Sequence, residues 1–276
     1  MGRVQGKKAF ITGGAQGLGE ATARMMAREG AKVTVTDVNG AGAEAVAASI
    51  NDEHGAGTAF AWQHDVTNEA QWQEVLQAAH DAMGGLNVLV NNAGISQRSL
   101  ALETSMEVYR QIIDIDLVSQ IELTQAILPK MVSQGGGKLV FISSIAGKVG
   151  VPLRTAYSAA KFGLIGYADA LRAELSQRGV GVHVVCPGSV ATDVSRNALT
   201  GDGEKRGRSD RAIDNGIQPA EAAKRIVDEI AQGQREIIIA QGMEEAMGEM
   251  RRTPDELLDQ VAAMVAAGYM EKMQGE

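Results

Sequence analysis

Short apolar runs recur along the chain at intervals that a helix can fill. Seven of them read as strands: KAFIT (8–12), KVTVTD (32–37), TAFAWQHD (58–65), NVLVNNAG (87–94), KLVFISS (138–144), GVHVVCPG (181–188) and EIIIA (236–240). Most are continuously apolar instead of alternating, the pattern of strands buried on both faces. The segments between them are rich in Ala, Glu, Gln and Leu, with apolar residues at helical spacing. Repeated β–α units with short connections predict an α/β fold on a doubly wound parallel sheet of seven strands. No linker or low-complexity stretch interrupts the alternation, so residues 1–276 read as one domain.

Two regions break the rhythm. Residues 189–217 are polar and aperiodic, with TGDGEKRGRSDR at their centre. A loop of this length in a compact domain is expected to be a functional lid or disordered. Residues 243–276 predict a C-terminal extension of two short helices. The second carries a capping box, with Thr253 at the cap, Pro254 at the first helical position and Glu256 three residues after the cap. Leu257, Val261, Met264 and Val265 would then share a face. Methionines 243, 247, 250, 264, 270 and 273 crowd this extension and read as core or subunit packing, with an adaptable ligand surface as the alternative.

Composition narrows the function. With 276 residues, 45% of them hydrophobic, the chain can bury a large core, and a net charge of −8 argues against nucleic-acid or anionic-membrane partners. The single cysteine, Cys186, rules out an internal disulfide framework and lies in an apolar run as a packed core thiol. No apolar stretch approaches the ~18 residues of a membrane span, and the N-terminus lacks the pattern of an addressing segment. A soluble cytoplasmic protein is expected. No metal-ligand cluster is evident, and none is expected.

The end of the first strand carries ITGGAQGLGEATA. Thr12 and Gly13 lead into a turn punctuated by Gly17 and Gly19, and a helix begins near Leu18. Glycines between a strand and a helix let the backbone approach a pyrophosphate, whose charge then meets the helix N-terminus. A plain turn also needs glycine. Asp37 ends the second strand, where a carboxylate can accept both hydroxyls of an adenosine ribose and would repel a 2′-phosphate. Position 16 is Gln and position 38 is Val, so no cation compensates, and NAD is inferred over NADP. Asp65 and Val66 end the third strand, placed to frame an adenine; an N-cap role for Asp65 or Thr67 competes. Asn91, Asn92, Ala93 and Gly94 end the fourth, at the crevice where a nucleotide would lie, although a turn would also explain them.

Further along, YSAAK places Tyr157 and Lys161 four apart, on one face of a helix. An isolated phenol titrates near pH ~10 and is a poor base at neutrality. A neighbouring ammonium stabilises the phenolate, so such a pair can exchange a proton with a ketone or alcohol oxygen. Ser144, at the end of VFISS, could polarise the same oxygen, while either Ser143 or Ser144 could be a turn former. A dinucleotide loop, a strand-end serine and this helix together suggest hydride transfer, with the protein supplying orientation and the proton.

The joint occurrence of TGGAQGLG, NNAG, ISS, YSAAK and PGSVAT, in this order and spacing, resembles the short-chain dehydrogenase/reductase family over roughly residues 5–240. The resemblance implies a Rossmann-type catalytic domain and an NAD(P)-dependent reaction between an alcohol and a ketone. It implies Tyr157 as acid/base, Ser144 as the holder of the substrate oxygen, and Lys161 on the nicotinamide ribose and beside the phenol. Pro187, Gly188, Val190 and Thr192 would contact the nicotinamide end, and Asn91 would help hold the cofactor.

Two departures from the family pattern stand out. Asp116, in IIDIDLVSQ, occupies a position where the family usually has Asn, thought to help hold a relay water behind the lysine. If the main-chain carbonyl holds that water, Asp116 preserves the relay. An ionised carboxylate there would stabilise the ammonium and oppose its effect on Tyr157, predicting an active enzyme with an upward-shifted pH optimum for oxidation. The Met-rich extension replaces a short glycine-rich tail. Subunit pairing through helices near 103–132 and 157–177 is expected, giving a homodimer or homotetramer, and the extension could cover the active-site mouth.

Ile95, Ile145, Val149, Val151, Leu153 and Val190 would make an apolar pocket for a small-molecule substrate. Basic Arg98, Arg154, Lys205, Arg206, Arg208 and Arg211 could meet an anion, but interleaved Asp202, Glu204 and Asp210 favour a solvated loop face. The leading expectation is an NAD-dependent dehydrogenase or reductase of a hydrophobic secondary alcohol or ketone. A 3-oxoacyl thioester reductase and a non-catalytic dinucleotide-binding sensor are the alternatives.

Overall fold

A computed structural model describes residues 2–269. Seven strands form one sheet: β1 (Lys8–Thr12), β2 (Lys32–Asp37), β3 (Ala59–Gln63), β4 (Val88–Asn91), β5 (Gly137–Ile142), β6 (Val180–Pro187) and β7 (Glu236–Ile239). All pairings are parallel, in the order β3-β2-β1-β4-β5-β6-β7. The order reverses between β1 and β4, so a crevice opens there beyond the carboxyl ends of the strands. β3, β4 and β5 stop short of the apolar runs that mark them: His64, Asn92 and Ser143 already belong to the loops that build this crevice.

The helices are α1 (Gly17–Arg28), α2 (Gly40–His54), α3 (Glu69–Met83), α4 (Met106–Ile113), α5 (Ser119–Ser133), α6 (Thr155–Glu174), α7 (Arg211–Asp214), α8 (Pro219–Gln232), α9 (Met243–Met250) and α10 (Asp255–Ala266). Adjacent strand residues point to opposite faces, and each face has its own core. Ile11, Val35 and Val90 pack with Met26 of α1, Ile50 of α2 and Ile226 of α8. Phe10, Leu89 and Phe141 pack with Met83 of α3, Leu123 of α5 and Leu164 of α6. Cys186 is fully buried in this second core, where burial pushes its thiol up to about 12.

Residues 189–217 are pinned to the body. Leu199 bridges to Gln97 of the body, and Val190 bridges to Ile217 at the two ends of the segment itself. Asp210 accepts from Arg98 Nε at 2.8 Å and pairs with Arg206 at 2.6 Å, with Arg154 at 3.9 Å. The basic residues of the segment are thus partly neutralised from within.

The extension forms two helices, but the capping box does not form. Pro254 is extended (ψ 137°) and is itself the cap, so α10 starts one residue later than expected. Thr253 instead donates its backbone N–H to Glu236 Oε2 (3.4 Å). Leu257, Val261 and Met264 are exposed on α10, and Met243 and Met250 on α9, so they contribute no core within one chain. Met270 and Met273 lie outside the described residues. Among the described residues, no helix is long and apolar enough to cross a membrane.

Candidate active site

The glycine turn after β1 is held by β4. Asn92 Nδ2 donates to the carbonyls of Thr12 and Gly13, both at 2.9 Å, and Thr12 Oγ1 accepts from the backbone N–H groups of Asn92 and Ala93 at 3.0 Å. A Cβ at Gly13 would come within 2.8 Å of Ala93 Cα, and the backbone there has φ +63°, so only glycine fits. Gln16 caps α1 without a side-chain hydrogen bond, which leaves the first-turn N–H groups of Leu18 and its neighbours open to the crevice. That cradle fits a dinucleotide pyrophosphate.

Asp37 stands beside this turn, accepting from Ala15 N (3.1 Å) and Asn39 N (2.9 Å), with Val38 exposed next to it. Asp65 does not cap α3, whose cap is Asn68. It accepts from Thr67 N (2.9 Å) and Oγ1 (2.8 Å) instead, because a short carboxylate reaches the N–H two residues on before it can reach a helix that starts at 69. The carbonyl of Val66 accepts from Trp72 Nε1 at 3.0 Å. Asn91 is fully buried and donates to Thr124 Oγ1 (3.0 Å), so its side chain fastens β4 to α5 and does not reach the crevice.

The two serines after β5 separate cleanly. Ser143 Oγ donates to the Lys161 carbonyl (3.0 Å) and ties the strand to α6. Ser144 Oγ accepts from Ala146 N (3.1 Å) and donates to the Pro187 carbonyl (3.3 Å), at the crevice. Tyr157 is half-buried on α6. Lys161 Nζ lies 5.6 Å from its ring centre, donates to the Ile142 carbonyl (2.9 Å), and pairs with Asp116 Oδ2 at 3.1 Å.

Asp116 owes its place to the helix that carries it. Residues Asp114–Val118 form a single π-helical turn between α4 and α5, and the extra residue per turn swings the side chain inward. Oδ1 accepts from Ile95 N at 2.8 Å. The carboxylate and the ammonium are both essentially excluded from water. Burial pushes the Asp116 carboxyl up, against the pull of Lys161 and the Ile95 N–H. Burial also opposes the Lys161 charge, but Asp116 and Tyr157 outweigh it and hold the ammonium above its ordinary range. Gly94 admits the pair: a Cβ there would lie 2.8 Å from Asp116 Oδ2 and 3.4 Å from Lys161 Nζ.

The carboxyl end of β6 closes the crevice. Gly188 N donates to Ile239 O (3.0 Å), and Thr192 approaches Gly17 across the gap. Ile145 and Val190 are buried in the two cores, so of the expected pocket residues Ile95, Val149, Val151 and Leu153 remain accessible. Leu153, four residues before the catalytic candidate on α6, has φ +66°, alone among the described non-glycine residues in that region. Among the described residues, no cluster of His, Cys, Asp or Glu could hold a metal.

Two long-range side-chain bonds beside the crevice escape the sequence. Gln97 Oε1 accepts from Ala156 N (2.8 Å) and so fixes the first turn of α6 next to Tyr157. Glu244 of α9 binds Ser189. Each acts across a long stretch of chain, where no local pattern marks the pairing.

A family model described as short chain dehydrogenase matches residues 7–202. The chain belongs to the short-chain dehydrogenase family. It is 35% identical over 241 residues to dehydrogenase/reductase SDR family member 7B of Danio rerio, covering 86% of this chain and 78% of that one. It is 39% identical over 192 residues to the ketoacyl reductase HetN of Nostoc sp., covering 69% and 66%. Its fold matches a crystal structure of a short chain dehydrogenase/reductase from Burkholderia phymatum in complex with NAD, with TM-score 0.79 and 23% identity over 92% of this chain and 98% of that one. As a member of this family, the chain is an oxidoreductase on the same doubly wound parallel sheet.

Proposed function

We propose that this short-chain dehydrogenase interconverts a secondary alcohol and a ketone with NAD(H). The observation that supports the reading is Lys161 Nζ 5.6 Å from the Tyr157 ring and paired with Asp116, with Ser144 bonded to the Pro187 carbonyl at the strand end. Gly13, Gln16, Gly17, Leu18 and Gly19 would hold the pyrophosphate, and Asp37 and Val38 the adenosine ribose. Asp65 and Val66 would border the adenine. Ala93, Gly94 and Lys161 would hold the second ribose, and Pro187, Gly188, Val190 and Thr192 the nicotinamide. A nicotinamide held there would supply or accept the hydride.

The chain's residues handle the proton and the orientation. Tyr157 gives its hydroxyl proton to a ketone oxygen in reduction and takes one from an alcohol in oxidation. Ser144 turns its hydroxyl from the Pro187 carbonyl to that same oxygen. Lys161, held by Ile142 and Asp116, keeps a positive charge behind the phenol. The Asp37 carboxylate, with no salt-bridge partner among the described residues, disfavours a 2′-phosphate and so supports NAD over NADP. Ile95, Val149, Val151 and Leu153 favour an apolar substrate. A cytoplasmic homodimer or homotetramer paired through α4–α6 completes the reading.

A panel of alcohols and ketones, followed by NADH absorbance with NADP(H) in parallel, tests it. Tyr157→Phe should cut turnover by about 10²- to 10⁴-fold, the usual worth of a general acid–base group. Undiminished turnover in that variant would sink the assignment. The likeness to a ketoacyl reductase favours a second reading, reduction of a 3-oxoacyl thioester, and one such thioester in the panel separates the two.

A further inference from the structure

We propose that Glu244, in the first turn of α9, is a positioning residue for the nicotinamide half of the cofactor site, which makes the C-terminal extension part of that site. The inference rests on the dinucleotide reading above. Glu244 Oε2 accepts from Ser189 N at 2.7 Å, and Oε1 accepts from Ser189 Oγ at 2.9 Å. A carboxylate that takes an N–H and an O–H from one residue makes two charge-assisted bonds in a fixed geometry. It also fills the space over Gly188, where a Cβ would collide with Oε2.

The loop so gripped is the wall of the crevice. Gly188 N is tied to Ile239, and the Ser189 carbonyl accepts from Ile217 N at 2.9 Å. Those bonds fix the loop to β7 and to the stretch before α8. Glu244 binds it from outside the sheet and supplies a side-chain acceptor there. The same helix also braces the opposite wall: Gly248 lies so close to Ile145 that a Cβ would come within 2.8 Å of its Cδ1. Ile145 directly follows Ser144. One eight-residue helix thus supports both the serine turn and the 187–192 loop.

Removing the carboxylate leaves Ser189 N–H without its partner and frees the loop. The cost falls on ligands that touch the loop, because ordering it then becomes part of binding. A ligand that stops at the second ribose, held by Ala93, Gly94 and Lys161 rather than by this loop, would not register the change.

The test compares NADH and NADPH, titrated by fluorescence, with ADP-ribose, which lacks the nicotinamide, titrated by calorimetry on the full chain. Glu244→Ala should weaken the preferred reduced dinucleotide by about 5- to 20-fold, because only part of the lost charged hydrogen-bond energy is felt by the ligand. ADP-ribose should bind as it does to the unmodified protein. Glu244→Gln keeps an acceptor at the same reach and should recover most of the affinity. Should Glu244→Ala fail to fold, Glu244→Asp decides, since it keeps the charge and loses the reach. Equal losses for ADP-ribose and the dinucleotide, or no loss for either, overturn the role of Glu244. An unmodified protein that binds neither NADH nor NADPH refutes the dinucleotide reading itself, and the proposal falls with it.

Discussion

In the proposed reaction, the Lys161–Asp116 pair decides how far the Tyr157 phenolate is stabilised. A lysine alone behind a phenol stabilises the phenolate, whereas a lysine sharing its charge with a buried carboxylate at 3.1 Å does so less. Asp116→Asn keeps the size and an acceptor for Ile95 N but removes the negative charge. The sign follows directly. With the charge gone, the ammonium favours the phenolate more, and the acidic limb of the oxidation rate should move to lower pH by about one unit, the scale of one close charge pair. A pH–rate profile for both proteins measures this, and coincident profiles would rule the electrostatic argument out. The pair's existence was legible from the departure at position 116, but its geometry was not. Helical spacing alone does not forecast a π turn, and it is that turn which aims the side chain.

Among the elements, α9 and α10 look alike in sequence and differ in attachment. α10 buries no described residue fully; it lies against α6 and adds the exposed pairs of Arg235 with Asp255 (3.9 Å) and Asp259 (2.5 Å). Exposed pairs contribute about 0–1 kcal/mol each. α9 and the turn after it reach further in, through Glu244, Gly248 and the Arg252 bond to the Glu236 carbonyl (3.0 Å). Truncation after Thr253 should therefore lower Tm by only a few degrees and leave dinucleotide affinity intact. Truncation after Ala240 should lower Tm further and weaken NADH. Calorimetry on the two truncated proteins checks the order, and equal effects would contradict it. The strands were readable because burial on both faces imposes an unbroken apolar run. The extension was not, because an amphipathic pattern states that a face is buried without stating against what. The capping box failed for a related reason: Thr253 has a partner, Glu236, that is distant in sequence.

At the scale of the whole molecule, the doubly wound sheet sets where polar groups must be buried, and burial sets the response to acid. His183 lies inside β6, with Nδ1 2.5 Å from the Gln234 carbonyl and Nε2 3.5 Å from Lys138 Nζ. Burial lowers its pKa to about 4, against the Gln234 carbonyl and with help from the Lys138 and Arg172 charges. His64, also buried, is shifted the same way by burial. A histidine depressed in the folded state costs nothing above the unfolded value of ~6.5. Below it, the unfolded chain takes up a proton that the folded chain refuses, so stability falls as pH drops toward the folded value. For His183 alone, the loss between pH ~6.5 and pH ~5 is about 2 kcal/mol. The raised Asp116 works in the opposite sense, since the folded state takes up its proton more readily than the unfolded one. Urea unfolding across this window should show stability falling with acid, and His183→Gln should remove close to one proton's worth of the slope, whatever it does to stability at neutral pH. Cys186, buried and held protonated, offers an independent reporter of the same transition. It should resist a thiol reagent in the native state and react only as the sheet opens, so labelling and urea unfolding should move together with pH. An unchanged slope in His183→Gln would mean that the acid response arises elsewhere in the molecule.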